Sequence, residues 1–319
     1  MRASPALHVN TLKLYIFEGF EGRHFSATLP SEAATRVKPC HRHRHTRGSP
    51  MTQTTAFEFV KPPAGRSIAK PRTRGLTMMI DQGMGARHQI DLLEAAGDYV
   101  DLAKFKTGTS ALYPADILRR KVAQYVEHGV KPFIGGQFHE YILATLGTAG
   151  LPAFYAEARR NGFTTIEISD NVVPLSPTER RARIAAAVDA GLEVFGEVGG
   201  KDRQTTAAEL IDQAGECFAA GASLVLVEAA ELMTAGKPNA ALIEELSRGL
   251  DMARVIIELP GPWIADVRTC DIEDLKKLLV RTFGPDVNIA NVTPDTVIDL
   301  EATRRGLGVA GPHGYKAPA

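Results

Sequence analysis

From residue 75 onward the chain repeats one pattern: a short run of Val, Ile, Leu and Phe, then a helical stretch of about 10 to 15 residues. The apolar runs are "LTMMID" 76–81, "LAKFK" 102–106, "PFIGG" 132–136, "TTIEIS" 164–169, "EVFGEV" 193–198, "SLVLVE" 223–228, "RVIIEL" 254–259 and "VNIANV" 287–292. Between them, "AAELIDQAGECFAAG" sets Leu210, Ile211, Ala214, Cys217 and Phe218 on one helical face. "SPTERRARIAAAVDAG" supplies Ser176 as N-cap, Pro177 at the first helical position and Glu179 three residues after the cap, a capping box. Gly191 and Gly221 end helices just before a strand, as a left-handed C-cap requires. Eight strand–helix units over about 235 residues predict an α/β fold of the (β/α)8, or TIM barrel, class. An open doubly wound sheet is the competing arrangement. It would bring a glycine-rich phosphate loop after its first strand, and "DQGMGARHQ" imitates one only weakly.

The single barrel is expected over residues 61–311, with 312–319 as a tail. The first sixty residues stand apart. "RVKPCHRHRHTRGSP" crowds Arg, His and Pro without hydrophobic periodicity, which reads as a solvated extension. Metal binding by its histidines, a transit peptide, and a natural start at Met51 are alternatives for this segment. Lys+Arg and Asp+Glu number 37 each, so no global field favours nucleic acid or an anionic membrane. Cys40, Cys217 and Cys270 have no metal-ligand spacing and suit a reducing compartment, the cytoplasm. The expected partner is a small anion; assembly of identical copies is left open.

A barrel places its chemistry at the C-terminal ends of its strands. Those ends carry Asp81, Lys104, Gly135 and Gly136, Glu167 and Asp170, Glu197, Glu228, Glu258, and Asn288 with Asn291. Carboxylates buried together repel, and a hard divalent cation such as Mg²⁺ relieves that conflict. The alternative is that they are salt-bridged to Lys104, Lys106 or Lys201, or lie on the rim in water. The loop Thr107–Ser110, with Thr109 and Ser110, offers hydroxyls and amides to an anion. His139 reads as a hydrogen-bonded rim histidine, with catalysis as the alternative. His88 and His128 read as surface groups, and Cys217 as packing. Trp263 either caps the pocket or packs.

Several motifs in order resemble the phosphosulfolactate synthase family, the barrel enzymes that add sulfite to phosphoenolpyruvate in coenzyme M synthesis. "DQGM" 81–84 is similar to that family's Asp-x-Gly, and "KFKTGTS" 104–110 to Lys-Phe-Gly-Trp-Gly-Thr-Ser. "GGQFHE" 135–140, "EISDN" 167–171, "EVGGKD" 197–202 and "VNIANV" 287–292 resemble further family motifs at the right spacing. The likeness runs from about Thr73 to Leu307, and a plant heat-stress protein shares it.

The resemblance implies a Mg²⁺-dependent lyase acting on phosphoenolpyruvate or an analogue. Lys104 is then the general acid, with Lys201 as a competitor and Glu197 beside them. Asp81, Glu167, Asp170 and Glu228 are the expected metal ligands. Thr109, Ser110, Gly135, Gly136, Asn288, Asn291 and Arg304 are expected to bind substrate. The chain departs from the family where Lys106 and Thr107 replace Gly-Trp, where Asn171 and Ala290 each replace a glycine, and where Gly308 replaces an arginine. A catalytically silent member acting in stress tolerance or protein interaction is the alternative reading.

Overall fold

The computed structural model describes residues 56–200, 205–261, 263–308 and 311. The expectations for residues 1–50 and for the tail therefore lie outside the described residues.

Eight parallel strands close into a barrel. They are β1 (Thr77–Asp81), β2 (Leu102–Phe105), β3 (Lys131–Ile134), β4 (Thr165–Ile168), β5 (Glu193–Val198), β6 (Leu224–Val227), β9 (Val255–Glu258) and β10 (Ile289–Val292). β7 (Met233–Thr234) and β8 (Lys237–Pro238) form a small antiparallel hairpin outside it. Each barrel strand pairs with the next barrel strand in the chain, and β10 closes on β1 through Thr77 opposite Ile289. The open-sheet alternative is thereby excluded.

Helices α1 (Ala86–Ala96), α2 (Ala115–Glu127), α3 (Gly136–Leu146), α4 (Leu151–Arg160), α5 (Pro177–Asp189), α6 (Ala207–Ala219), α7 (Ala240–Gly249), α8 (Thr269–Phe283) and α9 (Val297–Arg304) connect the strands. The capping box of α5 forms as the sequence predicts, with Ser176 Oγ accepting from the Glu179 amide and Glu179 reaching back to Ser176 N–H. Gly191 and Gly221 adopt φ of 80° and 109° behind α5 and α6, the left-handed region glycine enters without steric cost. Two features depart from the simple repeat. β3 is followed by two helices, and the hairpin interrupts the link between β6 and α7. The hairpin strands are two residues each, too short to leave a period-2 signal.

Alternation along the strands divides the buried side chains into two cores. Leu76, Met78, Leu102, Phe133, Phe195, Leu226, Ile256 and Ala290 fill the barrel interior. Met79, Ala103, Ile134, Ile166, Val194, Val225 and Ile257 point the other way, into the helix layer.

The N-terminal ends of the strands are tied by polar groups. Arg66 meets Glu301 at 2.7 Å and Asp286 at 3.2 Å, and Arg72 meets Asp101 at 2.9 Å. Among the described residues, no helix is long and apolar enough to cross a membrane.

Candidate active site

The period-2 rule that packs the barrel also builds the site. Two residues beyond the inward-facing Leu102, Phe195, Leu226 and Ile256 stand Lys104, Glu197, Glu228 and Glu258. They share the inner face one layer higher, at the C-terminal mouth. Glu167 joins them from β4. Lys104 Nζ lies 2.8 Å from Glu167 Oε2, 3.2 Å from Glu258 Oε1 and 3.9 Å from Glu197 Oε2. All four side chains are at least nine-tenths buried. Lys104, Lys106, Gly135, Gly136, Glu167, Asn171, Glu197, Glu228, Glu258, Trp263 and Asn291 belong to the lining of one pocket.

One ammonium serves three buried carboxylates. Burial alone would lower the Lys104 pKa, but Glu167, Glu258 and Glu197 outweigh it and hold the value well above that of an ordinary lysine. The acids are correspondingly under-compensated. Burial pushes the Glu167 carboxyl well above the usual range; Lys104 opposes the shift, and the Glu197 and Glu258 charges add to it. Glu258 is raised for the same reasons, burial first.

The carboxylates are held in place by their own contacts. The Gly136 amide at the start of α3 donates to Glu167 Oε1 at 2.9 Å. Asn171 Nδ2 donates to Glu197 Oε1. A β-carbon on Gly136 would sit 2.1 Å from Ser169 Oγ and 2.7 Å from Ser169 Cβ, so only glycine lets α3 approach β4 this closely.

The donor set fits a hard cation. Oxygens of Glu167, Glu197 and Glu258 lie within 4.8 Å of one another. Glu167 Oε2 is buried and, although close to Lys104, accepts no aligned hydrogen bond. An all-oxygen anionic set is the chemistry Mg²⁺ takes.

Two of the expected metal ligands lie away from the pocket, and a third lines it outside the three-carboxylate group. Asp81 shares the outward parity of Met79, not the inward parity of Ile80. Its carboxylate turns into the helix layer, 2.9 Å from Lys121 Nζ and 2.8 Å from the Tyr125 hydroxyl, and accepts the Gly83 and Met84 amides. Asp170 lies beyond the end of β4 and pairs with Arg180 of α5. Glu228 lines the pocket but lies outside the three-carboxylate group; its side chain accepts from Ala230 N–H.

The expected substrate-binding residues divide in the same way. Gly135, Gly136 and Asn291 line the pocket. Asn288 precedes β10 and is at the opposite end of the barrel. It accepts from Leu76 N–H and donates to the carbonyls of Met252, Ala253 and Val255. Arg304, fully buried at the end of α9, donates to the carbonyls of Pro285, Val287 and Leu76 at that same end. A helix returning from β10 ends opposite the pocket, and Arg304 ends it. Thr109 donates to the Lys106 carbonyl at 2.8 Å, and Ser110 is buried beside a separate apolar cavity under α3 and α4. Lys201 lies outside the described residues.

His139 is not on the rim. It is 1 % exposed, stacks on Tyr155 and shares a 3.2 Å hydrogen bond with the Tyr155 hydroxyl. Burial pushes its imidazole down to about 4, with the Arg183 charge adding to the shift. Cys217 packs in the helix-layer core, where burial pushes its thiol up to about 11. His88 and His128 are exposed. Gln137 lines the pocket although its sequence gave no signal beyond its place after the two glycines.

Residues 66–309 match the family model described as (2R)-phospho-3-sulfolactate synthase (ComA). The chain belongs to this family. It is 35 % identical over 267 residues to phosphosulfolactate synthase of Methanothermobacter thermautotrophicus, a match covering 79 % of this chain and 95 % of that one. It is 30 % identical to the Bacillus subtilis phosphosulfolactate synthase over 75 % of this chain and 92 % of that one. A plant relative, Protein HEAT-STRESS-ASSOCIATED 32 of Arabidopsis thaliana, is 24 % identical over 75 % of this chain and 89 % of its own length. The chain is thus an enzyme of the phosphosulfolactate synthase kind.

Proposed function

We propose that this chain adds sulfite to phosphoenolpyruvate to give phosphosulfolactate, with Mg²⁺ held by Glu167, Glu197 and Glu258. The observation that carries the reading is Lys104 set among three buried carboxylates at the mouth of the barrel, in a chain of this family. In the reaction the sulfur lone pair attacks the substrate methylene carbon and forms the C–S bond. The C=C electron pair moves to the neighbouring carbon and its carboxylate, giving an enediolate. A proton then closes the C–H bond on that carbon, and no group leaves.

The chain's residues supply the proton and the surroundings. Lys104 remains protonated through the neutral range because the carboxylates hold its proton. Its ammonium is the group positioned to pass a proton to the enediolate carbon and regain one from solvent. When bound, Mg²⁺ supplies positive charge where the substrate carboxylate gains negative charge. The Gly136 amide holds Glu167 Oε1 and the Asn171 side chain holds Glu197 Oε1, which fixes both carboxylates beside Lys104. Lys201, three residues past the end of β5 in the sequence, is a second candidate for the proton.

The test is direct. Purified protein is supplied with phosphoenolpyruvate, sulfite and Mg²⁺, and the products are followed by ³¹P NMR and mass spectrometry. A new phosphomonoester with the mass of phosphosulfolactate is expected. Its absence with all three components present refutes the proposal.

A further inference from the structure

At the mouth of the pocket three features converge on Lys106. Its ammonium rests 2.9 Å from the centre of the Trp263 ring. Both residues line the pocket that holds Lys104. The backbone just beyond Lys106 is strained: Thr107 adopts φ 52°, ψ 33°, the left-handed region that a β-branched residue rarely enters, and Gly108 follows at φ 73°. This double left-handed turn ends β2 after one further residue and sets Lys106 at the rim. Burial grades outward along it: Lys104 is buried, Lys106 half-buried and Thr107 exposed.

The charges of the lining give the turn a purpose. Among the described residues the lining carries two cations, Lys104 and Lys106, against four carboxylates, Glu167, Glu197, Glu228 and Glu258. Lys104 is committed to three of those carboxylates. The carboxylate end of a substrate that must meet Lys104 and a metal ion lies deep. A phosphate on the same small molecule then faces outward, toward the rim. A phosphate dianion entering an acidic pocket needs a cation there, and Lys106 is the described pocket-lining cation at that level.

We infer that Lys106, carried on the face of Trp263 by the left-handed Thr107 turn, is a specificity residue that reads the phosphate of the substrate. The indole face holds the ammonium at the pocket lining. On binding, the ammonium meets phosphate oxygens, an interaction stronger than its contact with a neutral ring. The site thereby favours phosphorylated three-carbon acids over their unphosphorylated counterparts. This rests on the reading of phosphoenolpyruvate as substrate.

Trp263 is the only tryptophan in the chain, so its fluorescence reports on this contact directly. The experiment titrates phosphoenolpyruvate, and separately pyruvate, into the full chain with Mg²⁺, following Trp263 emission and the heat of binding. Phosphoenolpyruvate is expected to change the emission as the ammonium leaves the ring. Lys106→Met is expected to weaken phosphoenolpyruvate binding by about 10- to 100-fold, the range for a hydrogen bond to a charged group, while pyruvate binding stays within about twofold. Lys106→Arg is expected to restore most of the phosphoenolpyruvate affinity, and thermal melting of each variant confirms that it is folded. Equal phosphoenolpyruvate affinity in a folded Lys106→Met and the parent overturns the inference and leaves the proposed reaction standing. Failure of phosphoenolpyruvate to bind the parent by heat or emission overturns both.

Discussion

Replacing Lys104 with Met keeps the length of the side chain and removes its charge. The consequence follows from the distances. Glu167, Glu258 and Glu197 all lie within 3.9 Å of the ammonium, and all three are buried. Without it the carboxylates face one another across a pocket with no compensating charge at its centre. Breaking a buried ion pair by removing one partner costs about 3–5 kcal/mol. Protonation sets a ceiling on that loss. Placing a proton at pH 7 on a carboxyl with an ordinary pKa of 4.5 costs about 3 kcal/mol, so one or two such events absorb the strain. For a domain of this size, about 3–5 kcal/mol corresponds to a fall in Tm of roughly 10 °C. The same proton cost shrinks as pH falls, so the gap in Tm between variant and parent should narrow between pH 8 and pH 5. Mg²⁺ should narrow it as well, by supplying the missing charge. If Lys104 also delivers the proton, turnover with sulfite and phosphoenolpyruvate should fall on the order of 10²-fold or more, even at temperatures where the variant is fully folded. Melting scans across pH, with and without Mg²⁺, paired with product formation by ³¹P NMR, separate the two contributions. A variant with the parent's Tm at pH 8 and the parent's turnover would show that the lysine neither balances the acids nor takes part in the reaction.

Glu167→Gln tests the opposite side of the cluster. The raised Glu167 pKa means that the folded state holds a proton more tightly than the unfolded chain; the associated stability is full below the ordinary carboxyl value and is lost as pH rises through the folded one. The metal-free parent should therefore lose stability toward alkaline pH more steeply than the Gln variant, and parallel slopes would contradict this. Millimolar Mg²⁺ is expected to raise the Tm of the parent but not of this variant; an equal increase in both would place the metal elsewhere. Gly136→Ala forces a methyl into Ser169 and should lower stability by about 1–3 kcal/mol and depress turnover, measured by denaturant unfolding and product formation; unchanged values would mean that α3 can retreat without disturbing Glu167. Arg304→Met should cost about 3 kcal/mol or more, because three carbonyls lose a buried donor, yet leave phosphoenolpyruvate affinity as it is; weakened affinity in a folded variant would return Arg304 to the substrate site.

The barrel was legible because its strands and helices announce themselves by local periodicity. The site was legible to the extent that parity along a strand can be read. Lys104, Glu197 and Glu258 each stand two residues beyond an inward-facing apolar residue, and that spacing is visible in "LAKF", "FGE" and "IIE". Asp81 is placed at the site by its position at a strand end alone, and in "MMID" both parities are apolar until the final residue, so nothing local says which face the carboxylate takes. Asn288 and Arg304 were misplaced for a different reason. Their partners are backbone carbonyls from segments distant in the chain, Leu76 among them, and a carbonyl has no sequence signature. The contact between Lys106 and Trp263 joins the loops after β2 and β9, a pairing that closure of the barrel creates and periodicity cannot foretell.

The two ends of the barrel follow different physical rules. At the N-terminal end the buried charges are matched: Arg66 with Asp286 and Glu301, and Arg72 with Asp101, while Arg304 and Asn288 satisfy backbone groups. At the C-terminal end the charges are mismatched, with Lys104 and Lys106 against four carboxylates in the described pocket lining. Thr107 and Asn291, two of the four described non-glycine residues with positive φ, line the same pocket, with φ of 52° and 58°. Backbone strain of this kind costs on the order of 1–3 kcal/mol per residue, and unbalanced buried charge costs more. A barrel selected for stability alone would relieve both, for instance with an apolar residue at one of the acids. Strain and surplus negative charge held together at the strand ends make sense when a cation and an anionic substrate complete the balance. The matched end contributes stability that offsets the cost of the unbalanced pocket.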